Sequence, residues 1–241
     1  MPMKTSWPYV HPVIRGSHSV RTIGIEGKKR LEQNCRLNLW VDLLRAIEVF
    51  SKTGYIKQIH IPEDVILYLP VNRFFVENAI IYFPCISTPI VCFDENGVIY
   101  KKIGAFNEKY MPDLRILLKG EGVFFSVGTQ APEIEKYSFD GELLEKFDMM
   151  EIPIIKDKVN YINKLKKDKN SVYHLFKDAY YENQVLYLLV YDYVVSLHVK
   201  DKIHLNAIYK LDNLFYTTLS ISESRIFLFN AMNADINVFH L

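Results

Sequence analysis

Cysteine is scarce in this chain: Cys35, Cys85 and Cys92 are the whole set. An odd, sparse set is no disulfide framework. Cys85 and Cys92 sit close enough in sequence to meet across a hairpin, and they read as two buried thiols. Glycine and proline number ten each, too few for a collagen-like or low-complexity chain. No apolar run reaches the roughly 18 residues that cross a bilayer as a helix. The first twenty residues, "MPMKTSWPYVHPVIRGSHSV", hold no continuous apolar stretch of the signal-peptide kind. Taken literally that predicts a cytoplasmic protein; if a leader once stood upstream, an extracytoplasmic or lipid-anchored one. An excess of either charge is also missing, the net charge being +1, so a nucleic-acid partner gains no support.

What is present is apolar and aromatic. Hydrophobic residues make up 49 %, with 16 Tyr and 15 Phe, a composition that favours strands. Five stretches share one pattern: "LNLWVDLLRAIEVFSKTGYIKQI", "IIYFPCISTPIVCFDENGVIYKKI", "VFFSVGTQAPEIEKYSFDGELLEKF", "VLYLLVYDYVVSLHVKDKIHLNAI" and "IFLFNAMNADINVFHL". Each has an apolar strand, a short break, a second strand opening on Ile or Val, then a turn. The second strands open at Ile47, Ile90, Ile134, Val194 and Ile236, in steps of 43, 44, 60 and 42 residues. Gly54, Gly97, Gly141 and Asp201 follow seven residues later, where a tight hairpin needs a positive φ. An earlier turn is marked at Asn34, Asn78, Gly122, Asn183 and Ser224. Upstream of it lies another apolar run, such as "RILLK" or "YHLF".

The unit is therefore four strands, A to D, in 40–45 residues, the period of β-propeller blades. A sheet this short cannot bury both faces alone, whereas blades around an axis cover one another. The fold expected is all-β, a propeller of four-stranded blades with five repeats visible: a complete five-bladed ring or a truncated six-bladed one. The propeller spans residues 33–241. Residues 1–32 stand outside the repeat, and within them residues 19–27 are the expected source of a ring-closing strand for the last blade, whose fourth strand is missing. The 60-residue step carries a Lys-rich excursion, residues 151–171, read as a solvated inter-blade insertion with a helical turn at Val159, Ile162 and Leu165.

The pieces "IVCFDENGVIYKKIG" and "IEKYSFDGELLEKF" resemble the outer hairpins of TolB-like and NHL-like six-bladed propellers, above all the uncharacterised bacterial ones, often secreted or lipid-anchored. The resemblance lies in the repeat pattern. It implies a propeller fold and, in the lactonase-like branch, a divalent metal such as calcium on the axis.

Motifs of known chemistry are missing: there is no Cys-x-x-Cys, no His-Glu-x-x-His and no Gly-x-Ser-x-Gly. Asp94-Glu95-Asn96-Gly97 reads as a β-turn rather than a calcium loop. His198 and His204 flank one hairpin, short of the three or four ligands a metal needs. Function in such scaffolds lives on loops, here the B–C breaks. Their candidate ligand-binding residues are Asp42, Arg45, Tyr191, Asp192, Tyr193, Asn230, Asn233 and Asp235. The reading is a non-enzymatic binding module for a protein, peptide or glycan, with no cofactor and no catalytic or metal residues assigned. The alternatives are a metal-dependent lactonase-like hydrolase or lyase, with calcium at the channel mouth, and an inactive remnant of a longer exported propeller.

Overall fold

The computed structural model describes residues 22–23, 37–41, 45–51, 54–66, 73–86, 88–105, 107, 109, 114–165 and 172–240. They form five antiparallel sheets in sequence order. Blade 1 is β1 (Thr22–Ile23), β2 (Leu37–Val41), β3 (Ala46–Ser51) and β4 (Gly54–His60). Blade 2 is β5 (Phe75–Glu77), β6 (Ile80–Pro84), β7 (Ile90–Phe93) and β8 (Ile99–Ile103). Blade 3 is β9 (Arg115–Lys119), β10 (Val123–Gly128), β11 (Glu133–Ser138) and β12 (Leu143–Asp148). Blade 4 is β13 (Asp178–Glu182), β14 (Val185–Val190), β15 (Tyr193–His198) and β16 (His204–Lys210). Blade 5 has three strands, β17 (Tyr216–Ser222), β18 (Arg225–Asn230) and β19 (Asp235–His240). This is the architecture of a β-propeller, and residues 37–41 and 46–51 are strands rather than parts of a helix.

The repeat register explains the packing. Ile47, Ile90, Ile134 and Val194 are each fully buried. Ile47 packs with residues of blade 2, Ile90 with blade 3, Ile134 with blade 4 and Val194 with blade 5. Each opens the third strand of one blade and contributes about 1.5–3 kcal/mol by burial against the next. Between blades 2 and 3 the contact is aromatic: the Phe124 ring lies 5.5 Å from that of Phe75 and 5.4 Å from that of Tyr82.

The innermost strands meet at a buried ion pair. Arg73, just before β5, donates from Nε and Nη2 to the two oxygens of Asp178, both at 2.9 Å. Its Nη2 also reaches the Leu219 carbonyl of blade 5 at 2.7 Å, and its own carbonyl accepts from Leu117 N–H of blade 3 at 3.0 Å. Asp178 accepts further from Ala179 N–H and Leu219 N–H, each at 2.9 Å.

The turns follow the marks in the sequence, with one exception. Asn78, Gly122, Asn183 and Ser224 all have positive φ, as do Gly54, Gly97 and Gly141; Asn34 lies outside the described residues. Asp94 accepts from Asn96 N–H and Val98 N–H, each at 2.9 Å, which makes its loop a β-turn. Asp201 keeps a negative φ. Its hairpin is a wider loop pinned from outside: Lys136 Nζ donates to the Val199 and Lys200 carbonyls, and Ile203 N–H donates to Glu145.

Three other expectations change. "YHLF" is not a strand, because Leu175 and Phe176 N–H are taken by the Thr129 carbonyl of blade 3; the A strand of blade 4 begins at Asp178 instead. The Lys-rich insertion contains a 13-residue helix, α1 (Pro153–Leu165), not one turn. Ile155 and Ile162 of that helix are buried with Ile152 in the core shared by blades 3 and 4, while Lys156 and Lys164 lie on the solvated face of an amphipathic helix. Thr22 and Ile23, assigned from sequence to the last blade, pair instead with Asn38 and Leu37 in blade 1; the repeat places them as its innermost strand.

Two outcomes test this fold. Gly97→Val should lower the urea midpoint by the equivalent of about 1–3 kcal/mol, since its φ of 79° suits glycine. Gly141→Val should cost more, because a Cβ there would meet Ile103 Cδ1 at 2.8 Å. Unchanged midpoints would contradict the turn assignment. Arg73→Met should destabilise by about 3–5 kcal/mol by stranding a buried carboxylate. In a double-mutant cycle, adding Asp178→Asn should cost less than it does alone; additivity would show the pair is not coupled.

Candidate functional site

The polar face of blade 3 is built by strand alternation. Glu133, Glu135 and Tyr137 lie on one face of β11, while Ile134 lies on the other, in the core shared with blade 4. Opposite Glu135 on β12 stands Lys146, and opposite Tyr137 stands Leu143. Arg115, at the start of β9, is fully buried. Its Nη2 lies 3.1 Å from Glu133 Oε1 and its Nη1 3.3 Å from Glu135 Oε2. Lys146 Nζ bridges both carboxylates, at 2.9 Å to Glu133 and 3.2 Å to Glu135. The Tyr137 hydroxyl donates to Glu135 Oε2 at 2.9 Å.

Glu133, Glu135, Tyr137, Leu143 and Lys146 line a cleft of about 580 Å³. Its other wall is the connection from blade 2 to blade 3, with Gly104, Ala105, Asn107 and Lys109. Lys146 and Leu143 are each 49 % exposed at the mouth of the cleft. Burial pushes the Glu133 carboxyl up, but the hydrogen bond from Lys146 and the charge of Arg115 more than offset it and hold it below its ordinary value. Burial lowers Lys146, yet its bonds to Glu133 and the two carboxylate charges leave it raised. Burial, then the charge of Glu135, pushes the Tyr137 hydroxyl well up. In the ordinary pH range the cleft therefore shows fixed charges of both signs and a proton-bearing phenol.

The residues singled out from sequence fall elsewhere. Asp42 lies outside the described residues. Arg45 has a φ of 62° and donates to the Pro62, Glu63 and Val65 carbonyls, tying down the link from blade 1 to blade 2. Tyr191, Asp192 and Tyr193 come together with lysines. Asp192 is bridged by Lys158 of α1, at 2.9 Å, and by Lys210. Lys158 lies over both tyrosine rings, Lys177 over Tyr191 and Lys210 over Tyr193. That cluster clamps α1 to blade 4, and its aromatic faces are already occupied. Asn230 is buried and accepts from Met232 N–H at 2.9 Å, shaping the turn that holds Asn233 and ends at Asp235. None of these described residues lines the cleft. Alternation of Glu133, Glu135 and Tyr137 beside the break at 128–133 was the sequence signal for it.

A divalent metal on the axis would need free carboxylates there. Asp178 is committed to Arg73 and two backbone N–H groups, and the guanidinium is itself a cation, so these side chains do not fit one. Among the described residues no three His, Cys, Asp or Glu side chains are grouped for a metal. His198 and His204 face each other across β15 and β16, with ring centroids 5.5 Å apart and no third ligand beside them. Cys85 and Cys92 are separate buried thiols.

No protein-family model and no curated protein matches the chain. Solved structures do. The computationally designed Ika8 protein is 10 % identical, with a TM-score of 0.52 over 88 % of this chain and 57 % of its own. Streptogramin B lyase is 12 % identical, with a TM-score of 0.50 over 86 % of this chain and 69 % of its own. BamB from Moraxella catarrhalis is 9 % identical, with a TM-score of 0.48 over 85 % of this chain and 70 % of its own. The chain thus spans little more than half the length of the designed protein. The likeness to the lyase shows the fold, a β-propeller.

Acid should test the charge cluster. Glu133 has a folded pKa below its unfolded one, so its stabilisation is complete above about pH 4.3 and is lost as pH falls through the folded value. The urea midpoint should drop as pH falls below about 4.3. Glu133→Gln should lower stability at neutral pH and flatten that drop; equal slopes in both proteins would contradict the assignment.

Proposed function

We propose that this protein is a non-enzymatic propeller that binds a protein or peptide chain in the cleft between blades 2 and 3. The carrying observation is the pairing of two carboxylates with Lys146 beside an exposed leucine at the cleft mouth. A peptide offers backbone donors and acceptors, charged side chains of both signs and apolar groups, which match this lining. A glycan would favour bare aromatic faces, and the rings of Tyr191 and Tyr193 are covered by lysines. A lactonase-like hydrolase or lyase is the second reading. It has the fold of streptogramin B lyase behind it, and against it the guanidinium at the axis. The third reading, an inactive remnant, predicts no ligand at all.

A peptide array and a glycan array probed with the purified protein give the test. Peptide hits should bind in calorimetry and weaken at least about tenfold in Leu143→Asp/Lys146→Glu. Leu144→Asp, outside the cleft lining, should leave binding unchanged. Binding to glycans alone, or peptide binding indifferent to the cleft variant, would overturn the reading. Calcium-dependent turnover of lactones would put the enzyme first.

A further inference from the structure

Lysines crowd one carboxylate at the end of blade 4. Asp192, in the turn between β14 and β15, pairs with Lys158 of α1 at 2.9 Å and with Lys210, the last residue of β16. Lys177, just before β13, lies 5.8 Å from the centre of the Tyr191 ring, and Lys158 lies 5.4 Å from it. The Lys177 ammonium donates to the Leu214 carbonyl, and among the described residues no carboxylate pairs with it. Burial lowers its pKa, and the charge of Asp192 restores it only in part. Of these lysines only Lys158 comes from α1. Lys177, whose N–H pairs with Leu189 of β14, and Lys210 belong to the same blade as Asp192. They add positive charge that holding α1 does not use.

Apolar side chains continue this surface toward blade 5. Leu214 and Phe215, in the link between the blades, are each 50 % exposed, and Met232 is 67 % exposed. The Phe215 carbonyl accepts from Ala231 N–H at 3.0 Å, which brings the turn carrying Met232 beside the link. The bond from Lys177 to the Leu214 carbonyl joins the charged part to the apolar part. The lysines outnumber Asp192, and Asp212, the acid in the link, already accepts from the Tyr216 hydroxyl at 2.8 Å. Like charges this close raise one another's energy until a countercharge is brought to them.

We propose that this surface of blades 4 and 5 docks an acidic peptide segment of a partner protein, one in which carboxylates stand beside large apolar side chains. Its carboxylates neutralise Lys177 and Lys210, and its apolar side chains cover Phe215 and Met232. The surface is separate from the cleft between blades 2 and 3, since none of these residues lines that cleft. A membrane surface calls for lysines that extend freely into water. Here the Lys158 side chain is 21 % exposed, and each ammonium group lies over a tyrosine ring. Such fixed positions suit carboxylates met at short range. A nucleic acid calls for a wide positive field, and the net charge of the chain is +1.

Fluorescence anisotropy of a labelled peptide of repeated Glu-Glu-Phe, titrated with the full chain, tests this. The peptide should bind, more weakly as salt is raised, and a Lys-Lys-Phe counterpart should not. Lys177→Gln/Lys210→Gln should weaken binding about tenfold. Lys156→Gln/Lys164→Gln makes the same change of charge on the exposed face of α1 and should leave binding unchanged. Met232→Ser should weaken it about threefold and carries the test on its own should the Lys177→Gln/Lys210→Gln variant have a lowered urea midpoint. No binding to the native chain, no loss in these site variants, or an equal loss in the Lys156→Gln/Lys164→Gln control would overturn the proposal. Binding abolished by Leu143→Asp/Lys146→Glu alone would move the peptide to the cleft, overturning this proposal and leaving the cleft reading intact. Binding of phosphatidylserine vesicles in place of the peptide, lost in Lys177→Gln/Lys210→Gln, would give the surface to a membrane and overturn it too.

Discussion

Arg73 and Asp178 lie 105 residues apart in sequence and share two hydrogen bonds near the axis. Taking two charges out of water costs several kcal/mol per ion, and only good geometry with every remaining lone pair used offsets that. Here the geometry is bidentate. The spare capacity of the carboxylate goes to Ala179 and Leu219 N–H, and that of the guanidinium to the Leu219 carbonyl and the face of Tyr180 at 5.2 Å. Burial lowers the Arg73 pKa, and the charge and hydrogen bonds of Asp178 overcome it, leaving it raised. One residue at the entry to blade 2 thus ties the inner strands of blades 4 and 5 through its side chain and that of blade 3 through its backbone carbonyl. Apolar packing between blades has no strong angular preference of its own; this pair supplies one. It also sets the character of the axis, a neutralised ion pair where a metal-dependent enzyme needs open coordination sites.

The interfaces between blades are not alike, and the difference places the cleft. Blades 1 and 2, and blades 4 and 5, meet through aliphatic and aromatic side chains. Blades 3 and 4 share a larger core because α1 adds Ile155 and Ile162 to it. Between blades 2 and 3 the apolar contact stops part-way along the strands. Phe75, Tyr82, Phe124 and Tyr137 fill one end, and Arg115, Glu133 and Glu135 take the other. Charged side chains cannot be covered by an apolar neighbour without partners. The facing wall is therefore a loop rather than a strand face, and space is left between them. The cleft follows from placing charge on an inter-blade face.

Legibility in the sequence followed the range of the interactions. The hairpin at Asn96-Gly97 and the turn at Asn183 are local, since a left-handed backbone selects Gly or Asn within four residues, and both were readable. The buried Ile or Val at the head of the third strand in blades 1 to 4 was readable because it recurs. Asp201 shared the spacing of the glycines but not their backbone, because Lys136 and Glu145 of another blade hold that loop. The length of α1 was hidden among lysines, whose stems and charges mark only its wet side. The tie between Arg73 and Asp178 has no local trace at all.

The polar side chains at the breaks between strands are engaged with the fold for a physical reason. A sharp break between strands leaves backbone donors and acceptors unpaired, and nearby side chains are the first to satisfy them. Arg45 does this for three carbonyls and Asn230 for one N–H, and Asp192 is drawn into holding α1. Such residues hold the fold together at the breaks. Residues on the strand proper have their backbone groups paired in the ladder, so their side chains are not drawn into satisfying the backbone. Glu133 and Glu135 are of this kind: two residues apart, on one face of β11, held by Arg115 from below and exposed to the cleft through Lys146. In a blade that packs on both sides, a run of charge at alternate strand positions is harder to explain by folding alone than any polar loop, and the cleft is where this chain has one.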